Sequence, residues 1–290
     1  MTHQRTRGLV PTTFLTAAIP LAALSPLARG QDDDGIMEPP GSKISFAGGV
    51  DFLTAYYFRG YLQEDDGLIT QPWAELGFSF VDNDQMTLSG VVGTWNSIHS
   101  EETGAMPGST TESFYESDFY AGLELGVGDF TIGANYTLYM YPNDSAGDIQ
   151  EVAFSVGYDD SALWGGDFAL NPYILFAFEI DNDNGTGDEF AYWEVGIAPE
   201  FALDNGWTIG VPVAVGLSLD DYYVDATGDE ELFGYFSFGA ELGIPLEFMG
   251  DDYGAWSLRL GLYGLVLNEH AGLSDDEFEV VGKVGVAVEF

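Results

Sequence analysis

Between Glu277 and Phe290 the chain reads EFEVVGKVGVAVEF, in which Phe278, Val280, Gly282, Val284, Val286, Val288 and Phe290 alternate with Glu279, Val281, Lys283, Gly285, Ala287 and Glu289. Extended backbone sends successive side chains to opposite faces, so this stretch predicts a strand with one apolar face and one small or charged face. The pattern recurs upstream. Trp207, Ile209, Val211, Val213, Val215, Leu217 and Leu219 oppose Thr208, Gly210, Pro212, Ala214, Gly216, Ser218 and Asp220. Leu232, Phe236, Phe238, Leu242, Ile244, Leu246 and Phe248 oppose Tyr235, Ser237, Glu241 and Glu247. In all, the alternation predicts 12 strands, near 44–59, 71–81, 85–97, 113–126, 129–141, 150–159, 167–180, 189–203, 206–220, 231–248, 254–267 and 278–290, and no long helical period interrupts them.

The connections alternate too. Mostly tight turns at 82–84, 127–128, 160–166, 204–205 and 249–253 are interleaved with mostly longer, acidic connections at 60–70, 98–112, 142–149, 181–188, 221–230 and 268–277. Short turns at one end and longer loops at the other, with an even strand count, predict an all-β, antiparallel up-and-down transmembrane β-barrel of 12 strands with both termini at the short-turn end. A soluble sandwich buries its apolar faces against each other and uses strands of about five or six residues. Most segments here are about twice that length.

Composition explains how such a chain stays folded. Of seven basic residues, Arg5, Arg7 and Arg29 precede residue 31, whereas all 48 acidic residues follow it. Only Lys43, Arg59, Arg259 and Lys283 remain to balance them, so nucleic acid is excluded as a partner, since phosphate contacts need a basic surface. With 46% hydrophobic residues and 38 glycines, the charge must be segregated from a large apolar surface. The chain has no cysteine, which removes disulfides and thiolate chemistry. Residues 1–30 combine a basic start, an apolar run and small residues at Ala28 and Gly30, as a cleaved signal peptide does. The acidic, Pro-containing stretch 31–43 is expected to be a disordered periplasmic arm, leaving 44–290 for the barrel.

A carboxylate facing lipid costs several kcal/mol, on the order of 2–4, so the non-lipid face must carry the charge. Alternation assigns to the lumen Asp51, Glu75, Glu116, Asp118, Glu124, Glu151, Glu179, Glu194, Glu200, Glu241, Glu247, Glu279 and Glu289, with Arg59, Arg259 and Lys283 as the cations. Arg59 is expected to tie to interior carboxylates near the mouth of the first strand. Trp73, Trp95, Trp207, Trp256, Tyr56, Tyr158 and Tyr192 fall toward strand ends, where an aromatic girdle is expected. Ser97 and His99 adjoin at a strand end, which raises a lipase-like pair on the outer surface. Scattered loop histidines are more often ordinary polar residues. The run Asp181-Asn182-Asp183-Asn184-Gly185 has the composition of a calcium loop, but Gly185 falls at position five and Tyr192 at position twelve, so the spacing fails. No catalytic residues, metal ligands or cofactor are assigned.

The stretch 53–72, LTAYYFRGYLQEDDGLITQP, resembles the opening hairpin of the TorF porin family through its aromatic-rich strand, Phe58-Arg59-Gly60 and Gln63. Residues 136–158 resemble the same family in a tyrosine-rich strand, a Pro-containing loop and a Glu opening the next strand. The final strand resembles the carboxy-terminal signature strand of bacterial outer-membrane barrels, which makes Phe290 the expected assembly signal. These resemblances imply a bacterial cell outer membrane location, with membrane lipid and the barrel-assembly machinery as partners, and the acidic lumen face adds small solutes or cations as expected partners. The expected function is that of a non-enzymatic porin passing small solutes with cation preference. The alternative is a non-conducting barrel with a surface-structural or ligand- or divalent-cation-binding role.

Overall fold

The computed structural model of the protein describes residues 43–83, 85–101, 113–142, 144–165, 168–183, 189–274 and 276–290. The expected signal peptide, and the arm except Lys43, lie outside the described residues. Alternating sequence becomes strand throughout: β1 (Ile44–Leu53), β2 (Tyr56–Phe58), β3 (Tyr61–Glu64), β4 (Ile69–Asp82), β5 (Met86–His99), β6 (Phe114–Val127), β7 (Phe130–Met140), β8 (Ile149–Tyr158), β9 (Pro172–Asn182), β10 (Ala191–Ile197), β11 (Glu200–Ala202), β12 (Thr208–Gly210), β13 (Val213–Asp220), β14 (Phe233–Pro245), β15 (Ala255–Leu267) and β16 (Phe278–Glu289).

All but β2 and β3 form one closed, antiparallel, up-and-down barrel of 12 strands, in which β10 with β11 and β12 with β13 are each one strand in two pieces. The breaks follow from Pro199 and Pro212, which have no N–H to give to a ladder. The two interruptions lie side by side, where Val211 N–H donates to the Pro199 carbonyl at 2.9 Å and Gly239 N–H to the Pro212 carbonyl at 3.0 Å. Closure is made by β1 and β16, in register from Ala47 opposite Glu289 to Leu53 opposite Lys283. Phe290 extends that seam: its N–H donates to the Phe46 carbonyl at 2.9 Å, and its carbonyl accepts from Phe46 N–H at 3.2 Å.

Alternation sorts the two faces. Outside, Phe46, Phe52, Leu76, Phe80, Phe119, Leu123, Ile132, Phe154, Leu262 and Val284 are exposed on successive strands, a larger apolar surface than soluble monomers tolerate. Inside, the small residues make room for rings. A Cβ at Gly216 would run into the Tyr235 ring, and one at Gly93 into Tyr120, so glycine at these positions is what lets each tyrosine lie flat against the neighbouring strand.

Two segments depart from the predicted pattern. The first strand ends at Leu53 rather than residue 59, and the chain turns into the barrel as a hairpin of β2 and β3 that shares no ladder with the wall. Arg59 and Gly60 form its two-residue turn with φ of +47° and +86°, the left-handed pair that a tight hairpin of this twist demands. Strand β9 begins at Pro172 rather than 167, because Asp160 gathers the preceding connection. Its carboxylate accepts from Leu170 N–H at 2.7 Å, Asn171 N–H at 2.9 Å and the Trp164 indole at 2.6 Å.

Candidate functional site: the barrel interior and its inward hairpin

Burying carboxylates where the described residues hold only Lys43, Arg59, Arg259 and Lys283 as cations requires other donors, and tyrosine supplies them. Glu116 accepts from Tyr56 at 2.8 Å, and Glu75 from Tyr120 at 2.7 Å. Glu194 collects three hydroxyls: Tyr173 at 2.7 Å, Tyr192 at 2.6 Å and Tyr235 at 2.6 Å. Tyr263 donates to Glu241, which also holds Lys283 Nζ at 3.1 Å. The hydroxyl satisfies the carboxylate while its ring fills the bore, which a small donor would leave open.

Each predicted lumen residue can be located. Asp51, Glu116, Asp118, Glu124, Glu151, Glu194 and Lys283 are buried inside the barrel, and Glu75, Glu179, Glu200, Glu241, Arg259 and Glu279 are partly buried. Asp118 and Glu116 stand on one face of β6, two residues apart, and each keeps one carboxylate oxygen without a hydrogen-bond partner. Asp51 lies 3.9 Å from Arg259. Glu247 does not reach the lumen; it sits exposed in a short 3-10 helix, Glu247–Met249, after β14 has ended at Pro245. Near the end where β1 begins and β16 finishes, Trp73, Glu200, Glu241, Ser257, Arg259 and Lys283 line a cavity of about 50 Å³.

The opposite half of the bore is filled by the hairpin. Arg59, 1% exposed, donates bidentately to Glu151 of β8 at 2.8 and 2.9 Å and reaches the Tyr222 hydroxyl at 3.3 Å. Its guanidinium lies 4.3 Å from the centre of the Tyr192 ring, 5.1 Å from Phe58 and 5.3 Å from Tyr222. Tyr223 donates to the Arg59 carbonyl at 2.9 Å, Tyr61 to the Tyr222 carbonyl at 2.9 Å, and Leu62 N–H to the Leu273 carbonyl at 2.9 Å. On the far side Tyr115 donates to Gln63.

Several expectations are corrected here. Trp73, Trp95, Tyr56 and Tyr192 are buried in the interior rather than set in an interfacial girdle. Parity explains the wall residues: Trp73 shares its face with Gln71 and Glu75, and Tyr192 shares its face with Glu194. Ser97 and His99 are also interior, 0% and 1% exposed, so they present no outer-surface pair. Ser97 Oγ lies 2.7 Å from His99 Nε2, with His99 Nδ1 3.7 Å from Glu64 of the hairpin and the Tyr115 ring stacked on the imidazole at 4.9 Å. The order Ser–His–Glu is that of a nucleophilic triad, but here the serine is wholly buried between Gln71 and His99. Among the described residues no three His, Asp or Glu side chains come together as a metal site. Part of the calcium-like run, from Asn184, lies outside the described residues.

No protein-family model matches the chain, and no curated protein matches it in sequence. In structure it is similar to the COG4313 outer membrane channel from Pseudomonas putida F1, with 13% identity, 86% of this chain and 97% of that chain covered, and a TM-score of 0.54. It also overlays the NanC porin at 10% identity, covering 84% of this chain and 98% of that one, with a TM-score of 0.43. The likeness to the COG4313 channel, with the closed antiparallel barrel, makes the fold that of an outer-membrane β-barrel.

Residues that periodicity alone missed are the tyrosine donors, together with Gln63 and Glu64 of the hairpin and Tyr222, which packs against it. The available signal was the tyrosine content of 16 and the recurrence of Tyr in phase with Glu, as in Tyr192 and Glu194.

Proposed function

We propose that the protein is a channel of the bacterial outer membrane that passes small solutes with a preference for cations and rests with its bore closed by the β2–β3 hairpin. The observation carrying this reading is the interior wall, where the acidic set from Asp51 to Glu241 faces only Arg59, Arg259 and Lys283. A narrow bore with low-dielectric walls focuses such a field, and salt screens it over about 8 Å at physiological ionic strength. The apolar outer surface supports lipid as the surrounding partner, and the strand ending at Phe290 supports delivery by the barrel-assembly machinery after removal of residues 1–30. The Phe58-Arg59-Gly60 turn with Gln63 supports placing the chain near the TorF porins, and the complete burial of Ser97 supports a non-enzymatic role.

A second reading is favoured by the filled bore: a barrel that does not conduct and serves a structural or ligand-binding role at the cell surface. Planar-bilayer recording of the refolded protein separates the two. Under a salt gradient the reversal potential is expected to have the sign of cation preference and to grow as salt is diluted. Anion preference sinks the first reading, and well-folded protein without conductance establishes the second.

A further inference from the structure

Arginine is an unusual residue for the place Arg59 occupies. Its φ of +47° lies in the left-handed region, which side-chain-bearing residues disfavour and which is why Asn or Gly normally opens a two-residue hairpin turn. A strained position kept by arginine points to the side chain as the reason. That side chain enters a pre-built enclosure. Glu151 of β8 meets the guanidinium edge with both oxygens, the Tyr192 ring lies 4.3 Å from its carbon, and Tyr222, tilted against Tyr192, accepts from Nη1 through its hydroxyl at 3.3 Å. Tyr139 of β7 donates to Glu151 Oε1 at 3.2 Å and fixes the carboxylate's orientation. A bidentate carboxylate beside an aromatic ring is the arrangement that distinguishes a guanidinium from a compact ammonium.

Glu151, Tyr139 and Tyr192 belong to the barrel wall and Tyr222 to a loop, so this enclosure does not depend on the hairpin for most of its parts. The hairpin, in turn, forms a separate two-stranded sheet and can leave without breaking a barrel ladder. We propose that the enclosure is a recognition site for guanidinium-bearing small solutes, that Arg59 fills it as a tethered substitute, and that a free guanidinium compound competes for Glu151 and loosens the hairpin. This deepens the channel reading and rests on it for the consequence of opening, while the site itself stands on the interior geometry.

The test uses the full refolded chain and methylguanidinium, with methylammonium at equal concentration as the control. In Arg59→Ala, methylguanidinium is expected to raise the unfolding temperature with a dissociation constant on the order of 1 mM, at least about tenfold tighter than methylammonium. Arg59→Ala combined with Glu151→Gln is expected to lose that difference. If Arg59→Ala does not fold, the wild-type barrel serves. Amide exchange at Tyr57 and Leu62 should then accelerate in roughly 0.1 M methylguanidinium and not in methylammonium, the tethered group having an effective concentration in the millimolar range. Equal effects of the two ions, or none, overturn the site. A barrel that distinguishes the ions and never conducts keeps the site and sinks the channel reading. One that conducts cations without distinguishing them does the reverse.

Discussion

Arg59 and Glu151, 92 residues apart, meet in a bidentate ion pair of 2.8 and 2.9 Å inside the barrel, each almost wholly removed from solvent. The pair is the principal polar tie between the hairpin and the wall. Removing one member of a buried pair strands the other charge, at a cost of about 3–5 kcal/mol, whereas replacing both with apolar groups of similar volume is often nearly neutral. Arg59→Ala and Glu151→Gln are each expected to destabilise the barrel by about that amount in urea titrations in micelles. Arg59→Met with Glu151→Leu should recover most of the loss. Single variants indistinguishable from wild type would place the pair in water.

Glu194 offers a graded case, because three hydroxyls converge on one carboxylate. Removing one donor leaves two, so Tyr235→Phe is expected to cost about 1–3 kcal/mol. Glu194→Gln in the Tyr235→Phe background should cost less than in wild type, since the two changes touch one network. A double-mutant cycle reads this as a non-zero coupling, and strict additivity contradicts it.

Phe290 lies in the closing seam, its backbone paired with Phe46 and its ring 6.1 Å from the Phe46 ring. Phe290→Asp is expected to reduce assembly into the outer membrane, visible as loss of the heat-modifiable band on a gel. Deletion of the residue also removes both seam hydrogen bonds. Normal assembly of Phe290→Asp would show that the terminal ring carries no signal.

Asp225, in the connection between β13 and β14, provides a pH-dependent readout outside the wall. Its Oδ1 accepts from Thr227 Oγ1 at 2.7 Å, Thr227 N–H at 2.8 Å and Asp229 N–H at 2.9 Å, and these bonds, the Thr227 hydroxyl first, hold its carboxyl below the ordinary range. The stabilisation is therefore complete above the unfolded value of about 3.9 and lost as pH falls through the lower folded value. Carboxyl-carbon NMR should record the depressed midpoint, and Thr227→Ala should move it upward. A midpoint unchanged in Thr227→Ala would remove the hydroxyl as the cause.

The strand pattern of the sequence by itself determined the architecture. In an extended chain parity assigns each side chain to a face, so the long alternating segments and their two kinds of connection were enough to specify strand number and antiparallel order. Parity also put Glu75, Glu116, Asp118 and Glu194 on one side, because that assignment is local. It left open what those carboxylates meet, since Tyr120 reaches Glu75 from two strands away and Tyr235 reaches Glu194 only where Gly216 leaves room. The hairpin was hidden for the same reason. Residues 54–64 look like the end of one strand and a loop, and nothing local says that the turn at Arg59 and Gly60 folds inward. Only closure of the barrel brings Glu151, Tyr192 and Tyr222 together around the guanidinium, and burial there, not sequence propensity, decides where the hairpin goes.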